Sequence, residues 1–117
     1  MAGSLIPELA EKGVDVEGSL KRFMNKKELY EKFLYKFLED DSFENYMKNQ
    51  TEKNYERALE YIHSLKGLSA NLGMNNIFKI SGEIVVNMRA GMYNNIEQLS
   101  KDLENEYNIV CDVIKRN

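Results

Sequence analysis

The sequence predicts an all-α fold: an antiparallel up-and-down four-helix bundle with short additional helices at the N-terminus. The chain has only one proline in 117 residues, so long helices are seldom interrupted. Apolar residues recur at helical spacing along most of its length. No segment alternates apolar and polar residues as a half-buried strand does. The connections between helical segments are short, which favours antiparallel neighbours.

The N-terminal part of the chain predicts two short helices and the beginning of a longer one. The two short helices are expected before Asn25, and the first has Pro7 in its first turn. Asn25 is the expected N-cap of the next helix, whose apolar positions run to Leu38. The residues "DDSF", at 40–43, interrupt this pattern and begin a further helical run.

Three further helices are expected in the remainder of the chain. Thr51 is the expected N-cap of the first, and Gly73 is expected to end it in the left-handed conformation. A second helix restarts at 75–76 and stops at Gly91, and the last one follows the asparagines at 94–95. Residues 1–117 are therefore expected to form a single domain.

Composition and charge exclude several classes of function. The net charge of −3 and the even spread of lysine and arginine argue against a nucleic-acid partner. Cys111 is the only cysteine, so it is expected to be a small apolar residue rather than half of an intrachain disulfide. No apolar run approaches the ~18 residues of a membrane span, and the N-terminus is too acidic for a signal peptide. We therefore expect a cytoplasmic monomer with no membrane partner.

The chain also lacks the patterns of an ATP-dependent enzyme. It contains no glycine-rich phosphate loop and no Walker sequence. No cluster of aspartate and glutamate suggests a Mg²⁺ site. We expect a protein that is not itself an enzyme, with no cofactor and no metal of its own.

His63 is the only histidine, and its position on the predicted helix is unusual. The apolar stripe of that helix is centred near Ser69, and His63 lies roughly 120° from this centre. A single histidine on an apolar face is most often a core residue, but this one is off the face. We therefore expect His63 to face solvent.

Gly67 follows His63 by one helical turn, where alanine would be about 1 kcal/mol more favourable. Side chains on a helix lean toward its N-terminus, so any larger residue at 67 would overhang the imidazole. The glycine is explained if a large partner must approach the ring. The alternative is close packing of Gly67 against another helix.

Lys66, three residues after His63, is expected to lean back and to bring its ammonium group near the ring. The alternative is an ordinary solvated lysine. Beside a phosphorylated histidine, the ammonium group would screen two negative charges. A nucleophilic imidazole, a nearby positive charge and a cleared approach together describe a covalent phosphate carrier.

The segment "HSLKGLSANLG", residues 63–73, resembles the signature of the histidine-containing phosphotransfer (HPt) domain family. That signature is His-x-(Leu)-Lys-Gly-x-Ser-x-x-(Leu)-Gly. It is moderately specific, and with the flanking helices the resemblance covers most of the chain. The chain matches the signature at seven positions: His63, Leu65, Lys66, Gly67, Ser69, Leu72 and Gly73.

The resemblance implies a four-helix bundle and a role in multistep phosphorelays. His63 would accept a phosphoryl group from a receiver-domain aspartate and pass it to another receiver aspartate. Lys66 would screen the phosphate, and Gly67 would provide steric clearance for the docking partner. The partners would be the receiver domains of a hybrid sensor kinase or a response regulator, and only these receivers would supply Mg²⁺.

The sequence departs from the family pattern at one position. Many family members carry glutamine or glutamate 22 residues after the histidine, where it hydrogen-bonds the imidazole, and this chain has Val85 there. Two alternatives stay open, and Val85 supports the second of them. One is the phosphoacceptor domain of a chemotaxis-type histidine kinase, and the other is a helical interaction module that has lost phosphotransfer.

Overall fold

The computed structural model of the protein describes residues 4–117, and all the regular elements in this range are α-helices. The seven helices are α1 (Leu5–Glu11), α2 (Val16–Arg22), α3 (Lys27–Phe37), α4 (Ser42–Thr51), α5 (Tyr55–Leu72), α6 (Asn75–Arg89) and α7 (Ile96–Arg116). Residues 4–117 contain no strand, so the predicted all-α class is confirmed. None of the helices in this range is long and apolar enough to cross a membrane.

Helix α5 lies in the middle of the helix packing. It packs against α4 and α6, α6 packs against α7, and α7 returns to contact α4. The N-terminal helices lie on the outside of this set, because α1 contacts α7 and both α2 and α3 contact α5. The helix predicted to carry the functional histidine therefore has neighbours that fix its position on several sides.

The core contains the apolar stripe predicted for α5 and the matching stripes of the other helices. The buried positions of α5 are Ala58, Ile62, Leu65, Ser69 and Leu72. Fully buried side chains from the other helices include Leu9, Tyr30, Leu34, Tyr46, Ile77, Ile84, Leu103 and Ile114. Removal of these apolar surfaces from water is the main force that holds the helices together.

Two predicted helix starts are wrong. Asn25 is not an N-cap: it adopts the left-handed conformation with φ 58°, and α3 begins only at Lys27. Asparagine tolerates this conformation better than most residues, which suits it to the turn before the helix. Thr51 does not cap α5, because α4 continues through it and the chain reverses at Lys53, which has φ 59°. Helix α5 begins after Asn54.

The predicted end of α5 is confirmed. Gly73 follows the last helical residue with φ 74°, in the left-handed region. The same glycine is pressed against the start of α2, because a Cβ atom here would collide with the Asp15 carbonyl oxygen and the Ser19 hydroxyl group. The Asp15 amide donates a 2.8 Å hydrogen bond to the Gly73 carbonyl. Gly73 therefore allows both the turn and the close approach of α2.

Side chains from α2 and α3 satisfy the last carbonyl groups of α5, which have no partner within their own helix. The Arg22 guanidinium donates to the carbonyl oxygens of Ala70, at 3.1 Å, and Asn71, at 3.2 Å. The Tyr30 hydroxyl donates to the Leu72 carbonyl at 2.9 Å. We call Arg22 and Tyr30 the α5 clamp. It fixes the end of the helix that carries His63.

A buried polar contact joins α4 to α7. The Tyr46 hydroxyl and Ser100 Oγ lie 2.7 Å apart and form a hydrogen bond. Burial raises the pKa of Tyr46 to about 12, and the hydrogen bond with Ser100 partly opposes this rise. Between the same two helices, the rings of Phe43 and Tyr107 stack with their centroids 3.9 Å apart. Tyr46, Ser100, Phe43 and Tyr107 form what we call the α4–α7 seam.

Candidate functional site

His63 lies on the exposed surface of α5, as its angular position in the sequence predicts. Its neighbours Ile62 and Leu65 are fully buried, so the helix is anchored immediately beside the imidazole. No group among residues 4–117 forms a hydrogen bond with the imidazole. The ring is therefore open to a reagent or a partner from outside.

Gly67 is exposed one helical turn after His63. A Cβ atom built at this position would have no heavy atom within 4 Å. The alternative that Gly67 permits close helix packing is therefore wrong, because no other helix approaches it. The glycine leaves the surface above His63 open.

Lys66 is half-buried, and its side chain takes a direction that the sequence did not predict. Its Nζ atom lies 5.7 Å from the ring centroid of Phe78, on α6. This distance is within the range at which an ammonium group is attracted to the face of an aromatic ring. The ammonium group therefore lies over the Phe78 ring, a contact that the sequence did not indicate.

Ser69 and Leu72, the other matched positions, belong to the core. Leu72 packs against the neighbouring helices, and Ser69 is fully buried. The Ser69 hydroxyl donates a 2.9 Å hydrogen bond to the carbonyl oxygen of Lys66. The hydrogen bond of Ser69 stabilises the helical turn that presents Lys66 and Gly67.

Val85 cannot orient the imidazole of His63, because its side chain is apolar and only 1% exposed. The nearby polar residues do not replace a glutamine or glutamate at this position. The Asn87 side-chain amide donates to the Glu83 carbonyl of its own helix at 2.8 Å. Within the described residues, the orientation of the His63 ring thus depends on packing and solvent alone.

An open groove of about 410 Å³ lies between α5 and α6 on the same side as Lys66. Its lining includes Lys66, Phe78, Gly82 and Val86. Phe78 and Val86 are 40% and 68% exposed, which is high for large apolar side chains. Neither Phe78 nor Gly82 was identified as a site residue from the sequence. Identifying them requires the register between two helices, and no local pattern encodes that register.

This surface offers a potential nucleophile, the imidazole of His63, and a cation on Lys66, three residues further along α5. Neutral imidazole offers a nitrogen lone pair, and Lys66 can donate three hydrogen bonds to an anion. Within residues 4–117, no group of three or more histidine, cysteine, aspartate or glutamate residues could hold a metal ion.

A second cavity, of about 580 Å³, lies beside the stacked rings of Tyr55 and Tyr93 and is not lined by His63.

Comparison with family models, curated proteins and solved structures found no match to this chain. A function for this chain is therefore inferred from its sequence, its fold and the geometry around His63.

Proposed function

We propose that the protein is a histidine phosphotransfer module of a multistep phosphorelay, with His63 as the phosphoacceptor. The observation that carries this proposal is the open surface at Gly67, one helical turn after His63. His63 is itself exposed and without a hydrogen-bond partner among the described residues, on a helix whose other face is buried. A structural glycine would be expected to contact another element, and this one contacts none. This open space supports a role for the glycine in the approach of a partner from outside.

The fold agrees with this proposal. Helices α4 to α7 contact one another in a closed order, α4 with α5, α5 with α6, α6 with α7 and α7 with α4. This order supports the antiparallel up-and-down four-helix bundle of the phosphotransfer family, with α1 to α3 as the additional N-terminal helices. In such a bundle the phosphoacceptor lies partway along one helix. His63 is the ninth of the 18 residues of α5.

The proposed reaction is a reversible transfer between a receiver aspartate and His63. The imidazole lone pair forms an N–P bond as the P–O bond of the aspartyl phosphate breaks, and the carboxylate leaves with the electron pair. The reverse step returns the phosphoryl group to a second receiver aspartate. The Mg²⁺ ion and most of the transition-state stabilisation belong to the receiver in this mechanism. The chain itself acts as the phosphate carrier.

The test is phosphorylation by a receiver. Purified protein is incubated with phosphorylated receiver domains and ³²P label is followed on this chain. The expected label is acid-labile and base-stable, as a phosphoramidate is, and it should be absent from His63→Gln. The same protein with ATP and Mg²⁺ alone should acquire no label. Labelling by ATP alone would reject the carrier function, and label that persists in His63→Gln would reject His63.

Two other functions remain as alternatives. A helical interaction module without phosphotransfer is favoured by Val85 and by the lack of a hydrogen bond to the imidazole. It predicts that no receiver labels the chain while binding to a partner persists in His63→Gln. The phosphoacceptor domain of a chemotaxis-type kinase predicts labelling only when a separate kinase domain and ATP are added.

A further inference from the structure

The side chain of Lys66 lies against the surface of α6. The Phe78 ring lies 5.7 Å from Lys66 Nζ. At Gly82, one turn further along α6, a Cβ atom would meet only the Cε atom of Lys66, at 3.7 Å. The lysine stem therefore crosses α6 where the helix has no side chain, and its charged end reaches an aromatic face. We call Phe78 and Gly82 the lysine seat.

The lysine seat directs the ammonium group away from His63. Helices α5 and α6 pack against each other and are joined by only two residues, Gly73 and Met74, so they run in opposite directions. The step from Gly82 to Phe78 along α6 therefore leads toward the C-terminal end of α5. His63 lies on the other side of Lys66, toward the N-terminal end. The attraction of the Phe78 ring therefore acts on the ammonium group in the direction away from His63.

This arrangement matters because the ammonium group and the reaction compete for the same electron pair. The imidazole nitrogen that attacks phosphorus must keep its lone pair free, and an ammonium group is a strong donor that would bind that lone pair. After transfer, the lone pair is part of the N–P bond and three phosphoryl oxygens accept hydrogen bonds instead. A lysine near His63 is therefore useful after the transfer and obstructive before it.

We propose that Phe78 is a positioning residue for Lys66, which it holds in the lysine seat until His63 is phosphorylated and then releases to the phosphoryl group. This inference rests on the proposed phosphotransfer function. The direction of the change follows from the relative strengths of the two contacts. A cation–π contact at a 40% exposed ring is weaker than a charge-assisted hydrogen bond between an ammonium group and a phosphoryl oxygen.

Nuclear magnetic resonance of the lysine Cε protons tests both states. Protons above an aromatic ring are shifted upfield by its ring current, so the unphosphorylated protein should show one upfield Lys66 signal. Phe78→Leu should move this signal to the position of a solvated lysine, and Phe78→Tyr should restore the upfield position. Circular dichroism verifies that each variant is folded. A Lys66 signal without an upfield shift in the unmodified protein would overturn the lysine seat.

Phosphorylation with phosphoramidate tests the release. This small donor transfers its phosphoryl group to imidazole, and its nitrogen leaves as ammonia. The Lys66 signal should move to its position in Phe78→Leu as a ³¹P phosphohistidine signal appears. Lys36 provides a control within the same molecule, because its Nζ atom lies 5.6 Å from the ring centroid of Phe33 and should not respond.

The outcomes separate the two proposals. A Lys66 signal that stays upfield in the phosphorylated protein would overturn the release and leave the phosphotransfer function intact. Failure to form phosphohistidine with either phosphoramidate or a receiver would overturn the proposed function and the release together. The lysine seat is decided independently, by the unmodified protein and the two Phe78 variants.

Discussion

The Tyr30 hydroxyl donates a 2.9 Å hydrogen bond to the carbonyl oxygen of Leu72, the last residue of α5. The two residues are 42 positions apart, and both are buried. This bond connects α3 directly to the helix that carries His63. With Arg22, it makes the N-terminal helices part of the support of the candidate site.

Tyr30→Phe should reduce the free energy of unfolding by about 1–3 kcal/mol, because the buried Leu72 carbonyl loses its hydrogen-bond donor. Tyr35→Phe is the matched control. It also removes a hydroxyl that donates to a backbone carbonyl, that of Asn117, but at an exposed site, so we expect a loss within about 0.5 kcal/mol. Urea denaturation of both variants gives the comparison. Equal losses would contradict the importance of the α5 clamp.

Gly73→Ala should be strongly destabilising for two separable reasons. A left-handed conformation costs a non-glycine residue roughly 1–2 kcal/mol, and the new Cβ atom would collide with Asp15 and Ser19. Gly91→Ala separates these effects, because Gly91 also has a positive φ, 68°, but a Cβ atom there meets nothing within 4 Å. The excess loss of stability in Gly73→Ala over Gly91→Ala measures the contact with α2. No excess would mean that α2 shifts freely.

Gly67→Gln should leave stability unchanged or raise it by about 0.5 kcal/mol, because glutamine has the higher helix propensity and the position is open. Phosphotransfer from a receiver should nevertheless fall sharply, because the longer side chain leans over His63. Ser64→Gln, at the exposed position immediately after His63, is the control and should retain more transfer. A Gly67→Gln variant that is destabilised but transfers normally would refute the clearance role.

The stability of the domain should fall in alkaline solution, in part because of Tyr46. Its pKa is raised from 10.0 to about 12 by burial, so the unfolded chain loses this proton at lower pH than the folded protein does. The stabilising contribution is complete below pH ~10 and is lost as the pH rises toward ~12, by up to ~1.4 kcal/mol per pH unit. Tyr46→Phe should show a flatter decline over this range in urea denaturation. Identical pH dependence in both proteins would contradict the assignment.

The sequence was sufficient for those features that depend on position along one helix. The spacing of Ile62, Leu65 and Ser69 predicted the buried face of α5, and the same wheel placed His63 on its exposed flank. The left-handed end at Gly73 followed from a local preference. Such features follow the period of a single helix, so the sequence of that helix alone is sufficient to predict them.

Features that depend on two elements were not predictable in the same way. The lysine seat requires Phe78 and Gly82 to face Lys66, and the α5 clamp requires Arg22 and Tyr30 to reach a helix end some 40 or more residues away. Both depend on the relative register of packed helices. The predicted caps at Asn25 and Thr51 were wrong for a different reason. Several polar residues lie near each helix boundary, and their local preferences are too similar to select one.

The α4–α7 seam has a consequence for the kinetics of folding. Most of the packing joins helices that are consecutive in the chain, such as α4 with α5 and α5 with α6, so it can form without closing long loops. The seam instead joins Tyr46 to Ser100, across 54 positions. We expect it to form late, after the barrier to folding has been crossed. Substitutions at Tyr46 or Ser100 should therefore accelerate unfolding and leave the refolding rate nearly unchanged, which stopped-flow measurements would detect.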